Sequence, residues 1–389
     1  MKRSLTALAA AGFIAGIGMA PAIAQEEFKI GVLMSYSGIS ATIGASVDEA
    51  LAHYMEEHGD VVAGRKIVLV RRDTTGPNPE VSRRAAIELI TREKVNVIIG
   101  PDYTPNVLGL APVLNEMKTP AIITGAASDG IVQAQSPYYL RTFYSVSQNI
   151  KPLAKWAYDE GFKTIVHVTA DYGSGINAEE VFKATYEEAG GKIVEAIRVP
   201  LRSPEFSGYM QRIKDANPDA VMVYMPLGEL PLMFLKAYSD AGLNKSDIKL
   251  IGVGDLTDET ILDAAGDTAL GAMTAAVYSP SDPSPENQAF IKVQDEKFGG
   301  EPRVSLSHVA GWDAINIIYE GLKAQEGKPF DPDAFIAFAK GREFTSPRGP
   351  IKVDPETGDL IQNLYFRKAE KVDGEVRNIP FHVVPAVVP

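Results

Sequence analysis

Short apolar runs recur along the sequence at Lys29 to Met34, Ile67 to Val70, Val95 to Ile99, Ala121 to Thr124, Thr164 to Val168, Ala220 to Tyr224 and Leu250 to Val253. They are rich in Val and Ile, and most do not alternate with polar residues. That pattern predicts strands covered on both faces. Between them the period changes to that of a helix. In Val47 to Tyr54 the apolar residues fall at i, i+3, i+4 and i+7. Val81, Ala85 and Leu89 share a second helical face, and Met210 with Ile213 a third. Leu235, Ala237 and Tyr238 lie on a fourth helix that should stop at Gly242, a residue suited to a C-terminal cap. Strand and helix in repeated alternation predict an α/β fold of parallel sheets flanked by helices, with right-handed crossovers.

The segments that follow the strands share a composition. They are Ser35 to Ser40, Pro101 to Pro105, Gly125 to Asp129, Ala170 to Gly175, Met225 to Glu229 and Gly254 to Thr257, rich in glycine, hydroxyl groups and tyrosine. Open parallel sheets bind ligands beyond the carboxyl ends of their strands. These loops are therefore the place to look for a site.

The N-terminus changes the compartment. Lys2 and Arg3 precede the apolar run Leu5 to Ala20, and Ala22-Ile23-Ala24 follows with the small-x-small pattern of a cleavage site. Residues 1–24 are expected to be a secretory signal peptide and are set apart from the fold. A membrane anchor is the competing reading, but the run is short for a span of about 20 residues. The remaining 365 residues suit two lobes better than one core. Without Lys2 and Arg3, 36 basic residues face 50 acidic ones, a net charge of −14. Such a chain is a poor partner for nucleic acid or for anionic membranes. The sequence has no cysteine, which excludes disulfides, thiolate metal sites and cysteine catalysis.

Several segments in order resemble one family, the type I periplasmic solute-binding proteins of ABC importers, in the branched-chain amino acid (Leu/Ile/Val)-binding branch. They are Ile30 to Leu33 with Ser37-Gly38 and Gly44, Val95 to Pro101, Thr124 to Ser128, Asp171-Tyr172-Gly173, Glu205-Phe206-Ser207 and Pro218 to Val221. The resemblance implies two Rossmann-like lobes joined by a three-crossing hinge near 142–145, 275–278 and 349–351. Lobe 1 would then comprise 25–143 with 277–350, and lobe 2 would comprise 144–276 with 351–389. It further implies a periplasmic protein, expected to be monomeric and without a cofactor, that carries a small carboxylate to a membrane permease.

Thr104, after a strand and before Pro105, reads as an N-cap with proline at the first helical position. That helix start also offers N–H groups to an anion. The resemblance adds a second role for Thr104, a hydroxyl on the ligand carboxylate, and gives Ser128 the same role beside the carbonyl of Ala126. Ser128 also reads as a turn residue next to Asp129-Gly130. Tyr172 matches the family's cleft tyrosine, or else is a structural residue of a tight turn. Tyr36, Ser37, Ile43, Tyr103, Pro226, Leu227 and Tyr278 are further candidates, each equally readable as loop or core. Where the branch carries a glutamate for a ligand ammonium, this chain has Gly254, expected to leave room, with Asp255 one place later. The expected ligand is therefore an aromatic acid of the benzoate or hydroxycinnamate kind. A branched-chain or other amino acid is the alternative if Asp255 restores the pairing.

No nucleophile elbow, P-loop or zinc-protease motif is present. The histidines 53, 58, 167, 308 and 382 are scattered, and His167, inside an apolar strand, is expected to be a satisfied core residue. Catalysis is not expected. A sensory ectodomain on the same fold and a secreted hydrolase are the competing functions. The first would bring a signalling or membrane segment, the second a nucleophile–base pair.

Overall fold

The computed structural model describes residues 26–389 apart from 203, 301 and 302; the expected signal peptide lies outside the described residues. Two sheets organise the chain. The first contains β1 (Glu27–Met34), β2 (Val61–Val62), β3 (Arg65–Asp73), β4 (Val97–Ile99), β5 (Ala121–Ile123) and β6 (Tyr139–Arg141), in the order β2-β3-β1-β4-β5-β6. All its pairings are parallel except β2 with β3.

The second sheet begins with β7 (Thr164–Ala170), β8 (Lys192–Val199), β9 (Ala220–Tyr224), β10 (Lys249–Val253) and β11 (Met273–Ala276), which pair in parallel. It continues through antiparallel strands β12 (Glu343–Phe344), β13 (Ile351–Val353), β14 (Leu360–Val372) and β15 (Glu375–Val387). This antiparallel extension adds to the parallel strands expected from the sequence. A two-residue turn at Asp373-Gly374 joins β14 to β15: both residues have positive φ, 52° and 92°. That is the geometry a tight hairpin needs to match strand twist.

The absence of alternation in the apolar runs has its cause in the packing. Along β1, Ile30, Val32 and Met34 enter one apolar cluster while Leu33 enters another. On β9, Met222 and Tyr224 face one cluster, and Val221 and Val223 the other. Helices cover both faces: α1 (Ala41–His58), α2 (Pro79–Glu88), α3 (Thr104–Met117), α4 (Val146–Asp159), α5 (Gly173–Glu188), α6 (Ser207–Ala216), α7 (Glu229–Asp240) and α8 (Glu259–Ala265). The later helices α9 (Pro285–Phe298), α10 (Leu306–Ala324) and α11 (Pro332–Ala339) return to the first lobe, where α9 and α10 pack on α1.

The connections between the lobes are tied together by buried polar groups. Arg348, paired with Asp313 at 2.8 Å, donates to the carbonyl of Thr142 and to Gln362 Oε1. Gln362 in turn donates to the carbonyl of Phe143, and Arg367 to that of Tyr278. His167 is fully buried beside Phe182, but neither ring nitrogen has a hydrogen-bond partner. It is a core histidine, as expected, but not a satisfied one, and burial lowers its pKa to about 4.

Candidate functional site

The loops at the carboxyl ends of the strands of both sheets meet in one place. Thr104 opens α3 from the first lobe, and Gly173 and Ser174 open α5 from the second. Thr104 Oγ1 lies 2.9 Å from Ser128 Oγ and 2.9 Å from Ser174 Oγ, and the two serine hydroxyls are 3.3 Å apart. Two helix N-termini, each with free N–H groups and a positive dipole end, thus converge on three hydroxyls. Thr104 is not the N-cap that the Thr-Pro pair suggested. Tyr103 holds that position in an extended conformation, and Pro105 sits second in the helix. The threonine side chain is drawn across the cleft to Ser174 instead.

Beside the hydroxyls a narrow cavity with a free volume of about 10 Å3 runs between the lobes. Its tyrosine walls are Tyr103, Tyr144, Tyr172 and Tyr224, its apolar walls Ile43, Ala127, Pro226 and Leu227, and its polar walls Asp102, Ser174 and Asp255, with Gly125. The ring of Tyr172 lies against Tyr103, 6.2 Å between centroids, and against Tyr224 at 6.4 Å. No Lys or Arg lines it among the described residues. The lobes are shut on each other here. Ser40 Oγ donates to the Leu227 carbonyl at 3.4 Å, and Asn177 Oδ1 accepts from the N–H of Asp129 at 2.8 Å, both across the cleft. Gly228, at φ 119°, lies so close to the first lobe that a Cβ there would meet the Ile39 carbonyl at 2.3 Å. A ring entering this space has to part the walls first.

Two buried carboxyls set the electrostatics. Asp102 accepts from the Ser35 N–H at 3.0 Å, yet burial raises its pKa to about 6. Tyr144 Oη donates to Asp255, 3.0 Å from both carboxyl oxygens. Burial, reinforced by the nearby Asp258, still pushes Asp255 up to about 8. At neutral pH it is mostly an uncharged acid, able to donate as well as accept.

Among the sequence candidates, the cavity brings together Ile43, Tyr103, Tyr172, Pro226, Leu227 and Asp255. Thr104 and Ser128 stand one hydrogen bond behind its wall, through Ser174. The Ala126 carbonyl accepts from Arg141 Nη1 at 3.1 Å, as does that of Ser128 at 2.9 Å. Gly254 and Tyr278 line a second small cavity behind Asp255, where Tyr278 Oη donates to Asn287. Gly254 leaves no room, contrary to expectation. A Cβ there would meet that of Ala276 at 2.6 Å, because β10 and β11 run side by side at that point. Ser37 is exposed, and Tyr36 is held by its N–H to Asp73 Oδ1 at 2.9 Å, so the structure brings neither into the cavity. Tyr144, Tyr224, Asp102, Ala127, Gly125 and Ser174 escaped the sequence reading. Ser174 had a usable signal, since it opens the helix beyond a strand.

The periplasmic binding protein family matches residues 27–374. A Leu/Ile/Val-binding protein homolog of Brucella melitensis is 38% identical over 372 residues, 96% of this chain and 94% of the relative. A solute binding protein of an ABC transporter from Rhodopseudomonas palustris BisB5, solved with 3,4-dihydroxybenzoic acid, is 42% identical with a TM-score of 0.89, over 93% of this chain and 98% of that one. Its counterpart from R. palustris HaA2, solved with p-hydroxybenzoic acid, is 39% identical with a TM-score of 0.90 and the same coverage. With two α/β lobes closing on a cleft and a match along almost the whole described chain, this protein belongs to the periplasmic binding proteins, the non-catalytic solute-binding components of ABC transporters.

Proposed function

We propose that this chain captures a small aromatic carboxylate, of the hydroxybenzoate or hydroxycinnamate kind, in the periplasm. It acts as a monomer and hands the ligand to the membrane permease of an ABC importer. The observation that carries this reading is the tyrosine-walled cavity between the lobes. With the lobes shut its free volume is only about 10 Å3, so a ring is taken up as the lobes part and close again around it. The hydroxybenzoates held by the R. palustris relatives support the same class. The lobes hinge at the three connections, with 25–143 and 277–350 moving against 144–276 and 351–389.

In this reading the carboxylate sits at the meeting point of α3 and α5, where Thr104, Ser128 and Ser174 turn their hydroxyls from one another to the anion. The helix-start N–H groups replace an arginine. The ring lies between Tyr103 and Tyr172 in offset or edge contact, and Ile43, Pro226 and Leu227 shield it. A ring hydroxyl reaches the Tyr144–Asp255 pair, whose uncharged acid serves as donor or acceptor. Ligand contacts from both lobes shift the population toward the closed form.

A branched-chain amino acid is the second reading, favoured by Asp255 in the cavity wall and by the name of the Brucella relative. It requires Asp255 to ionise against the ammonium, so binding near pH 7 would release a proton.

Calorimetry on variants tests the carboxylate assignment. Thr104→Ala and Ser128→Ala are each expected to weaken 4-hydroxybenzoate by about 1–3 kcal/mol, the worth of a hydrogen bond to a charged group. Unchanged affinity in both variants would remove the hydroxyls from the site.

A further inference from the structure

A larger pocket, about 1310 Å3 with its open mouth, lies on the outer side of the first lobe between α1, α9, α10 and the 345–347 segment. Its inner wall is aromatic. The rings of Tyr54 and His58 stack at 4.0 Å, those of His53 and Phe290 at 5.2 Å, and Trp312 stands steeply to Tyr54, His58 and Phe290, with centroids 4.7, 5.8 and 5.0 Å away. Its rim is acidic. Four glutamates line it, at 56, 57, 286 and 296, with Lys297; Lys297 is paired with Glu56, and Glu296 with Lys292 outside the lining.

The chemistry of this lining is that of a cage for a cation. Aromatic faces attract a positive group through their quadrupoles, and surrounding carboxylates add charge attraction. A metal ion would need a cluster of ligating groups, and none of three or more His, Cys, Asp or Glu exists among the described residues. An anion would meet the glutamates. His53 does not compete as a cation: it is buried, which lowers its pKa, and its Nδ1 contacts Gln294 Nε2 at 3.1 Å. The other ring nitrogen, Nε2, is buried in the pocket wall without a hydrogen-bond partner, 3.5 Å from the Glu57 carboxylate.

We propose that this pocket is a second binding site, separate from the cleft, for a compact organic cation of the quaternary ammonium class. The cation sits against Tyr54, His58 and Trp312, and Glu57 and Glu286 supply the countercharge.

Tetramethylammonium is the probe, and the intact protein labelled with 5-fluorotryptophan is the reporter. The chain has two tryptophans, so Trp156→Phe assigns both fluorine resonances. Titration with tetramethylammonium chloride at constant ionic strength should shift the Trp312 resonance saturably and leave that of Trp156 in place, while sodium chloride shifts neither. The double variant Glu57→Gln/Glu286→Gln, altered only at exposed rim positions, should bind the probe about tenfold more weakly and keep the parent's affinity for 4-hydroxybenzoate. Absence of a saturable Trp312 shift, an equal response to sodium, or unchanged probe affinity in the double variant would each overturn the proposal. The cleft ligand plays no part in any of these outcomes.

Discussion

Arg141→Met is expected to lose about 3–5 kcal/mol of unfolding free energy, the cost of leaving one partner of a buried ion pair alone. Arg141 is fully buried at the end of β6 and pairs with Asp359 at 2.6 Å. The same guanidinium also holds the carbonyls of Ala126 and Ser128. Its removal strands a buried carboxylate and two carbonyl groups, and it frees the segment that carries the Ser128 hydroxyl. Urea unfolding should show a lower midpoint with an unchanged slope. Adding Asp359→Leu should recover much of the loss, because an apolar pair can replace a buried ion pair at little cost. A stable single variant, or a double variant no better than the single one, would mean that the pair is not what holds the Ala126 to Ser128 segment.

Asp255→Asn should stabilise the ligand-free protein, by an amount that depends on pH. The folded state holds Asp255 at about 8 against an ordinary value of 3.8, chiefly by burial and then by Asp258. Below about pH 4 both the folded and the unfolded chain keep the proton, and the carboxyl adds no penalty. Between about pH 4 and pH 8 the unfolded chain releases a proton that the folded chain retains, so the parent loses stability as pH rises. Asparagine has no proton to release. The gain of the variant should therefore grow across that window to the order of several kcal/mol and level off above about pH 8. Denaturation series from pH 4 to 9 would measure it, and a gain that does not change with pH would contradict the raised pKa. The same variant separates the two ligand readings: it should keep a hydroxybenzoate and lose an amino acid.

Much of this architecture was legible in the chain because the physics that writes it is local. Val95 to Ile99 and Ala220 to Tyr224 are apolar throughout, which two-sided burial demands. The loops beyond them carry glycine and hydroxyl groups because the ends of parallel strands open onto the cleft. The hairpin of β14 and β15 was legible too, in Asp373-Gly374 between two runs of strand-forming residues, but its signal lies outside the alternation of strand and helix and went unread.

The site was less legible than the fold. Tyr224 has the composition of a core strand residue, and nothing local says that the last position of β9 faces a cavity. Tyr144 falls in the connection between β6 and α4 and meets Asp255 only through the tertiary fold, 111 residues apart in sequence. Gly254 shows the converse error. A small residue reads as space, whereas here it is small because a neighbouring strand presses on it.

Titration calorimetry of the purified, unfolded-and-refolded protein against 4-hydroxybenzoate and leucine asks whether the cleft closes on an aromatic carboxylate. Refolding removes any ligand carried through purification. Saturable binding of 4-hydroxybenzoate at a 1:1 ratio and no heat from leucine are expected. Tight binding of leucine with proton release, and no binding of 4-hydroxybenzoate, would contradict this and assign Asp255 to a ligand ammonium.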